Sequence, residues 1–193
     1  MPLDRAKAQK AVADLLSALG HDPECDSELS QTPMLVVEAF EHEWLHGYSV
    51  DVPTLLTKNQ GRPTESPAIV VVSQIALGTL CPHHLLPAEG RATVAYLPGS
   101  VLLGLGTVAR LVDAYSRRLT LQERIGENVV SALMNHASAK AAYCRIELKH
   151  ACVRLRGPRQ AEALVTTTHT AGEFETFEGK QRLFEALGIG PRS

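Results

Sequence analysis

The run Thr79-Leu80-Cys81-Pro82-His83-His84-Leu85-Leu86-Pro87 places a thiol and two imidazoles in four consecutive positions between apolar flanks. Cys81 and His84 are spaced so that one turn of backbone can aim both at a single ion. Cysteine thiolate and neutral imidazole are the ligands that zinc prefers. Two ligands do not make a site, and the best source of a third is Lys149-His150-Ala151-Cys152-Val153, far along the chain. A rival pattern, His42-Glu43-Trp44-Leu45-His46, fits the H-E-x-x-H of zinc peptidases. There the spacing puts both imidazoles on one helical face, with Glu43 as a base. Its helix stops at Gly47, and the nearest further ligand, Glu65, lies in a proline-rich stretch, so the peptidase is the distant alternative. Cys25 and Cys144 read as small core residues, and His136 and His169 as ordinary surface or core histidines.

These groups sit in a chain of 193 residues that is 45% hydrophobic, enough for one domain with an appended arm. We place a helical arm over residues 1–60 and a catalytic domain over 61–193. The net charge of −2 gives no basis for a nucleic-acid or membrane surface. No apolar run approaches a membrane span, and Met-Pro-Leu-Asp-Arg-Ala-Lys is not a signal peptide, so a cytoplasmic enzyme is expected. Four cysteines at irregular spacing do not form a disulfide scaffold. In such a chain, metal binding or catalysis better explains the two beside histidines.

The elements that must position the chemistry follow from periodicity. Ala8, Ala11, Val12, Leu15, Leu16 and Leu19 recur at helical spacing, and Gly20 is a natural stop. Thr32 and Pro33 read as N-cap and first-turn residues of a second helix carrying Val36, Val37, Phe40 and Trp44. Tyr48 to Pro67, with Pro53, Gly61 and Pro63, reads as a connector. Ile69 to Val72 is strand-like, and Gly90 to Tyr96 alternates as a second strand. Val108, Leu111, Val112 and Tyr115 predict a helix, and another runs from Thr120 through Ile125, Val129 and Leu133. Arg145 to Arg156 alternates strictly, which predicts a strand with Ile146, Leu148, His150, Cys152, Arg154 and Arg156 on one face. Leu164 to Thr168 predicts a fourth strand, and Lys180 to Leu187 a closing helix.

From Leu80 to Arg159 the sequence resembles GTP cyclohydrolase I. The matching pieces are Cys81-Pro82-His83-His84-Leu85, Ala95-Tyr96-Leu97-Pro98, Leu103-Gly104-Leu105 with Ala109-Arg110, and Ser116-Arg117-Arg118-Leu119. Gln122-Glu123-Arg124 and His150-Ala151-Cys152 with Arg156-Gly157 complete them, in the family's order. The resemblance implies an α+β tunnelling fold: an antiparallel four-stranded sheet with two helices on one face. It implies a homo-oligomer of stacked rings, a decamer, with sites between subunits. It also implies Zn2+ held by Cys81, His84 and Cys152, with a fourth position open. His83 and His150 match the acid–base residues, Gln122 and Glu123 the guanine-reading pair, and Arg110 and Arg156 the phosphate-binding arginines. The implied reaction is hydrolytic opening of the purine imidazole ring of GTP. Formate leaves and dihydroneopterin triphosphate forms, with zinc making water nucleophilic near neutral pH.

Competing readings stand beside these. Thr120-Leu121-Gln122-Glu123 is also a capping box with Glu123 as its reciprocal partner. Arg117 and Arg118 suit a solvated or intersubunit role. Pro82, Met34, Leu35 and Gly106-Thr107 depart from the family's usual residues, and Glu162-Ala163 replaces its early serine. The phosphate-binding part is therefore thinned, although Arg154 or Arg159 is placed to compensate. Hence the alternative of a zinc hydrolase or deaminase acting on a purine without a triphosphate. A zinc-binding assembly module without catalysis is disfavoured because His83 and His150 both remain.

Overall fold

The computed structural model describes residues 3–58, 60–66 and 68–189. The chain divides into two compact units, Met1–His46 and Gly47–Ser193.

In the first unit, α1 (Arg5–Ala18) starts where the Asp4 side chain accepts a hydrogen bond from the Lys7 amide at 3.0 Å. It stops at Gly20, whose φ of 89° suits a residue without Cβ. α2 (Thr32–Ala39) begins one residue earlier than expected. Gln31 is its N-cap and makes no side-chain capping bond, so Thr32 is the first helical residue. The chain then widens into a π-helical turn, Phe40–Trp44, and leaves helical geometry at Leu45, with φ −120°. The single helical face that H-E-x-x-H requires is therefore not formed: His42 lies on the π turn and His46 beyond the break.

The second unit is built on a four-stranded antiparallel sheet, β2 (Val70–Leu80), β3 (Pro87–Leu97), β5 (Ala141–His150) and β6 (Val165–Gly172), in that spatial order. A two-residue ladder pairs β1 (Gln60–Gly61) with β4 (Leu102–Leu103). The presumed connector before the sheet contains a helix, α3 (Val52–Thr57), whose N-cap Asp51 accepts from Thr54 Oγ1. Its Val52 and Leu56 are buried. α4 (Leu105–Ser116) packs on β2, and α5 (Gln122–His136) packs on β5 and β6. Val108, Leu111 and Val112 of α4 join Ile125, Val129 and Leu133 of α5 in one apolar cluster with Val94, Cys144, Ile146 and Leu148. The alternate strand residues Ala95, Leu97, Ala141 and Tyr143 gather instead with Phe174 and with Leu183 of α7 (Phe177–Ala186). This division follows from the two-residue period of a strand.

One expectation about the strand that bears the chemistry is corrected. β5 ends at His150, and Ala151–Arg154 forms a short helical turn, α6. Cys152, Arg154 and Arg156 therefore do not continue the alternation of Ile146, Leu148 and His150. The last β3–β5 pair is Ala88 with His150. β3 opens with Pro87, which has no amide to extend the ladder.

Candidate active site

The site grows from the connection between β2 and β3. Leu80 pairs with Pro87, so Cys81 to Leu86 form a tight hairpin loop. It is closed by Cys81 N–H to Leu86 O at 2.9 Å and Leu85 N–H to Cys81 O at 2.8 Å. Leu85 adopts φ 54° to complete the turn. Inside it, Cys81 Sγ lies 3.7 Å from His84 Nδ1 and 3.9 Å from His83 Nδ1. The β3–β5 register brings His150 opposite Ala88, and the α6 turn swings Cys152 toward the same loop.

The donor atoms of Cys81, His84 and Cys152 all lie within 4.8 Å of one another. Zinc–sulfur bonds of about 2.3 Å and zinc–nitrogen bonds of about 2.0 Å hold tetrahedral ligand atoms roughly 3.5 Å apart, so a small contraction fits the ion. Three such ligands would leave one position of a tetrahedral ion open, the pattern of catalytic rather than structural zinc sites. Among the described residues no comparable group gathers around His42 or His46.

A cavity of about 240 Å³ adjoins this cluster. Cys81, His83, Glu123, His150 and Cys152 border it, and Leu121, Val153 and Val165 supply apolar wall. Leu119, just before α5, bridges to Leu80, which ties the start of that helix to the hairpin loop. The capping box is not formed. Leu121 is the N-cap of α5 and no side chain caps it, while Thr120 Oγ1 reaches only Leu121 O, at 3.5 Å. Glu123 is exposed at the cavity edge, without the reciprocal capping role.

Gln122 is different. It is 3% exposed, and its amide nitrogen donates to Ile146 O and Val165 O, both at 3.0 Å. Thr167 Oγ1 lies 3.3 Å from the same nitrogen. The amide oxygen meets His150 Nε2 at 2.8 Å. Sequence spacing held no signal for this link, because one partner starts a helix and the other ends a strand.

Burial depresses the His150 pKa, opposed in part by the nearby Glu123 carboxylate. The Cys152 thiol is pushed up by burial and by the adjacent Cys81. Burial alone pushes Cys144 up to about 12, consistent with an inert core thiol. Arg110 lies exposed on α4, outside the residues that line the cavity. Arg156 follows the α6 turn close enough to Cys152 to favour its thiolate. Arg154 is held locally, its Nε donating to Ala161 O at 2.6 Å. Thr107 is buried in α4.

Residues 8–187 match the model of the GTP cyclohydrolase I family. Similar curated proteins include GTP cyclohydrolase 1 of Leifsonia xyli, 35% identical over 97% of this chain and 97% of its own. The GTP cyclohydrolase 1 of Hyperthermus butylicus is 39% identical over 91% of this chain and 86% of its own. That of Chromobacterium violaceum is 39% identical over 96% and 89%. With a family match over nearly its whole length and relatives of this identity, the chain belongs to the GTP cyclohydrolase I family.

Proposed function

We propose that this protein is a zinc-dependent hydrolase that opens the imidazole ring of GTP, giving formate and dihydroneopterin triphosphate. The observation that carries this reading is the convergence of Cys81, His84 and Cys152 beside a cavity bordered by His83, His150 and Glu123. The activity is that of the named relatives. The sheet with α4 and α5 on one face is a tunnelling fold, preceded by a helical arm. The working form is a cytoplasmic homo-oligomer, a decamer, with sites completed across subunits.

Cys81, His84 and Cys152 would hold the zinc, which when bound would supply the Lewis acidity that makes water a nucleophile near neutral pH. Glu123 accepts hydrogen bonds from the N1–H and exocyclic amine of guanine, orienting C8 toward the metal-binding residues. His150, half-buried and with its pKa held down, accepts a proton near neutrality and returns it to a ring nitrogen as the C–N bond breaks. His83, exposed on the loop, relays protons during the later ribose rearrangement and ring closure. Leu121, Val153 and Val165 exclude water from the face of the base. Arg156 holds phosphate from the same chain, and Arg110 is supplied across the subunit boundary.

A second reading, a purine substrate without a triphosphate, is favoured by one observation: among the described residues, no arginine lines the cavity. The zinc-loaded protein should therefore be offered GTP, guanosine and guanine in parallel. Formate and a pterin chromophore from GTP alone are expected. Turnover of the nucleoside or base with GTP inert would establish the alternative.

A further inference from the structure

We infer that Gln122 is a positioning residue that fixes the tautomer of His150, rather than a side chain that reads the purine. The inference rests on the proposed role of His150 as a proton-transfer group. Two carbonyls fix the orientation of the Gln122 amide. Ile146 O and Val165 O each lie 3.0 Å from the Gln122 amide nitrogen, and a carbonyl can only accept. Both therefore need the NH2 end of the amide, so its oxygen must be the atom facing His150 at 2.8 Å. That oxygen accepts, so His150 Nε2 must carry the hydrogen. Neutral His150 is thereby left with its lone pair on Nδ1.

Three elements are tied by this one side chain: the start of α5, the end of β5 and the start of β6. At 3% exposure the amide is shielded from water that would offer either partner a substitute. Both amide hydrogens are engaged by carbonyls, so none remains to donate to a base in the cavity. Glu123, the next residue, is exposed at that cavity and carries base recognition without it. Gln122 also borders the cavity, but both ends of its amide are engaged by the sheet and by His150, which leaves Glu123 to meet the substrate.

The test uses full-length, zinc-loaded protein labelled with 15N-histidine and studied by solid-state 15N NMR at about pH 8.5, well above the ordinary imidazole pKa. The His150 signals are identified by difference against His150→Asn. Wild-type protein should show His150 protonated at Nε2 and bare at Nδ1; protonation at Nδ1 would overturn the inference without any Gln122 variant. Gln122→Met should release that tautomer, lower kcat for GTP by about 10- to 100-fold, as losing an orienting partner does, and leave the GTP Kd within about twofold. An unchanged tautomer in Gln122→Met, or weakened GTP binding with kcat intact, would overturn it. Failure of the underlying functional reading has a separate signature: wild-type protein inert toward GTP while His150 keeps its Nε2 hydrogen.

Discussion

Replacing Cys152 by serine removes one ligand of the proposed zinc site and little else, since Cys152 is only partly buried on a four-residue helical turn. The consequence can be sized from the donor set. Zinc sites with four protein ligands bind with apparent free energies of about 10–16 kcal/mol, or roughly 2.5–4 kcal/mol per ligand. A serine hydroxyl stays protonated near neutral pH and does not replace a thiolate. Cys152→Ser should therefore weaken zinc binding by about 10²- to 10³-fold. The assay is a zinc titration against a competing chelator, with zinc content measured after dialysis. Cys81→Ser should behave alike, because Cys81 Sγ sits 3.7 Å from His84 Nδ1 and within 4.8 Å of the third ligand atom. His42→Ala should leave stoichiometry and affinity unchanged, because His42 lies on a π turn and, among the described residues, joins no group of donors able to hold a metal ion. Wild-type affinity in Cys152→Ser, or zinc lost from His42→Ala, would remove Cys152 from the metal site or place the metal at the His42 motif.

Two further outcomes test the remaining parts. His83→Ala and His150→Ala should each retain one zinc per chain and a wild-type circular dichroism spectrum while losing turnover by about 10²-fold or more; full activity in either would remove it from the mechanism. Glu123→Gln should weaken GTP binding by about 10- to 150-fold, the loss of one charged hydrogen-bond pairing of about 1.5–3 kcal/mol. Because Glu123 forms no capping box, its stability cost should stay within the helix-dipole contribution of about 1 kcal/mol, read from denaturant unfolding.

Much of the site was legible because its signals are short-range. Cys81 and His84 share one hairpin loop, so their spacing alone predicts a common target, and thiolate with imidazole is a donor set that suits zinc. The cluster residues Ile125, Val129 and Leu133 follow from helical period, and Ile146 and Leu148 from strand period. What failed to show depends on partners distant in sequence. The alternation from Arg145 to Arg156 gives no sign that the ladder ends at His150, because that end is set where β3 begins, at Pro87. The capping-box pattern at Thr120 is equally local and is not realised: the helix starts at Gln122 with Leu121 as its cap and no capping side chain. In the segment after Tyr48, the prolines read as a connector. Yet Asp51 followed by Val52-Pro53 is a capped helix start, with Pro53 in the first turn. The hydrogen bond between Gln122 and His150 joins residues on different elements, and only the folded sheet brings them together.

The most direct measurement of the central claim follows the carbon that the reaction must expel. GTP labelled with 13C at C8 is incubated with zinc-loaded protein and monitored by 13C NMR beside the Cys152→Ser variant. With wild-type protein the label should leave the purine as formate, one per pterin formed, and the variant should release it only at background rate. Label retained in an intact purine ring, or formate released equally by the variant, would contradict that claim.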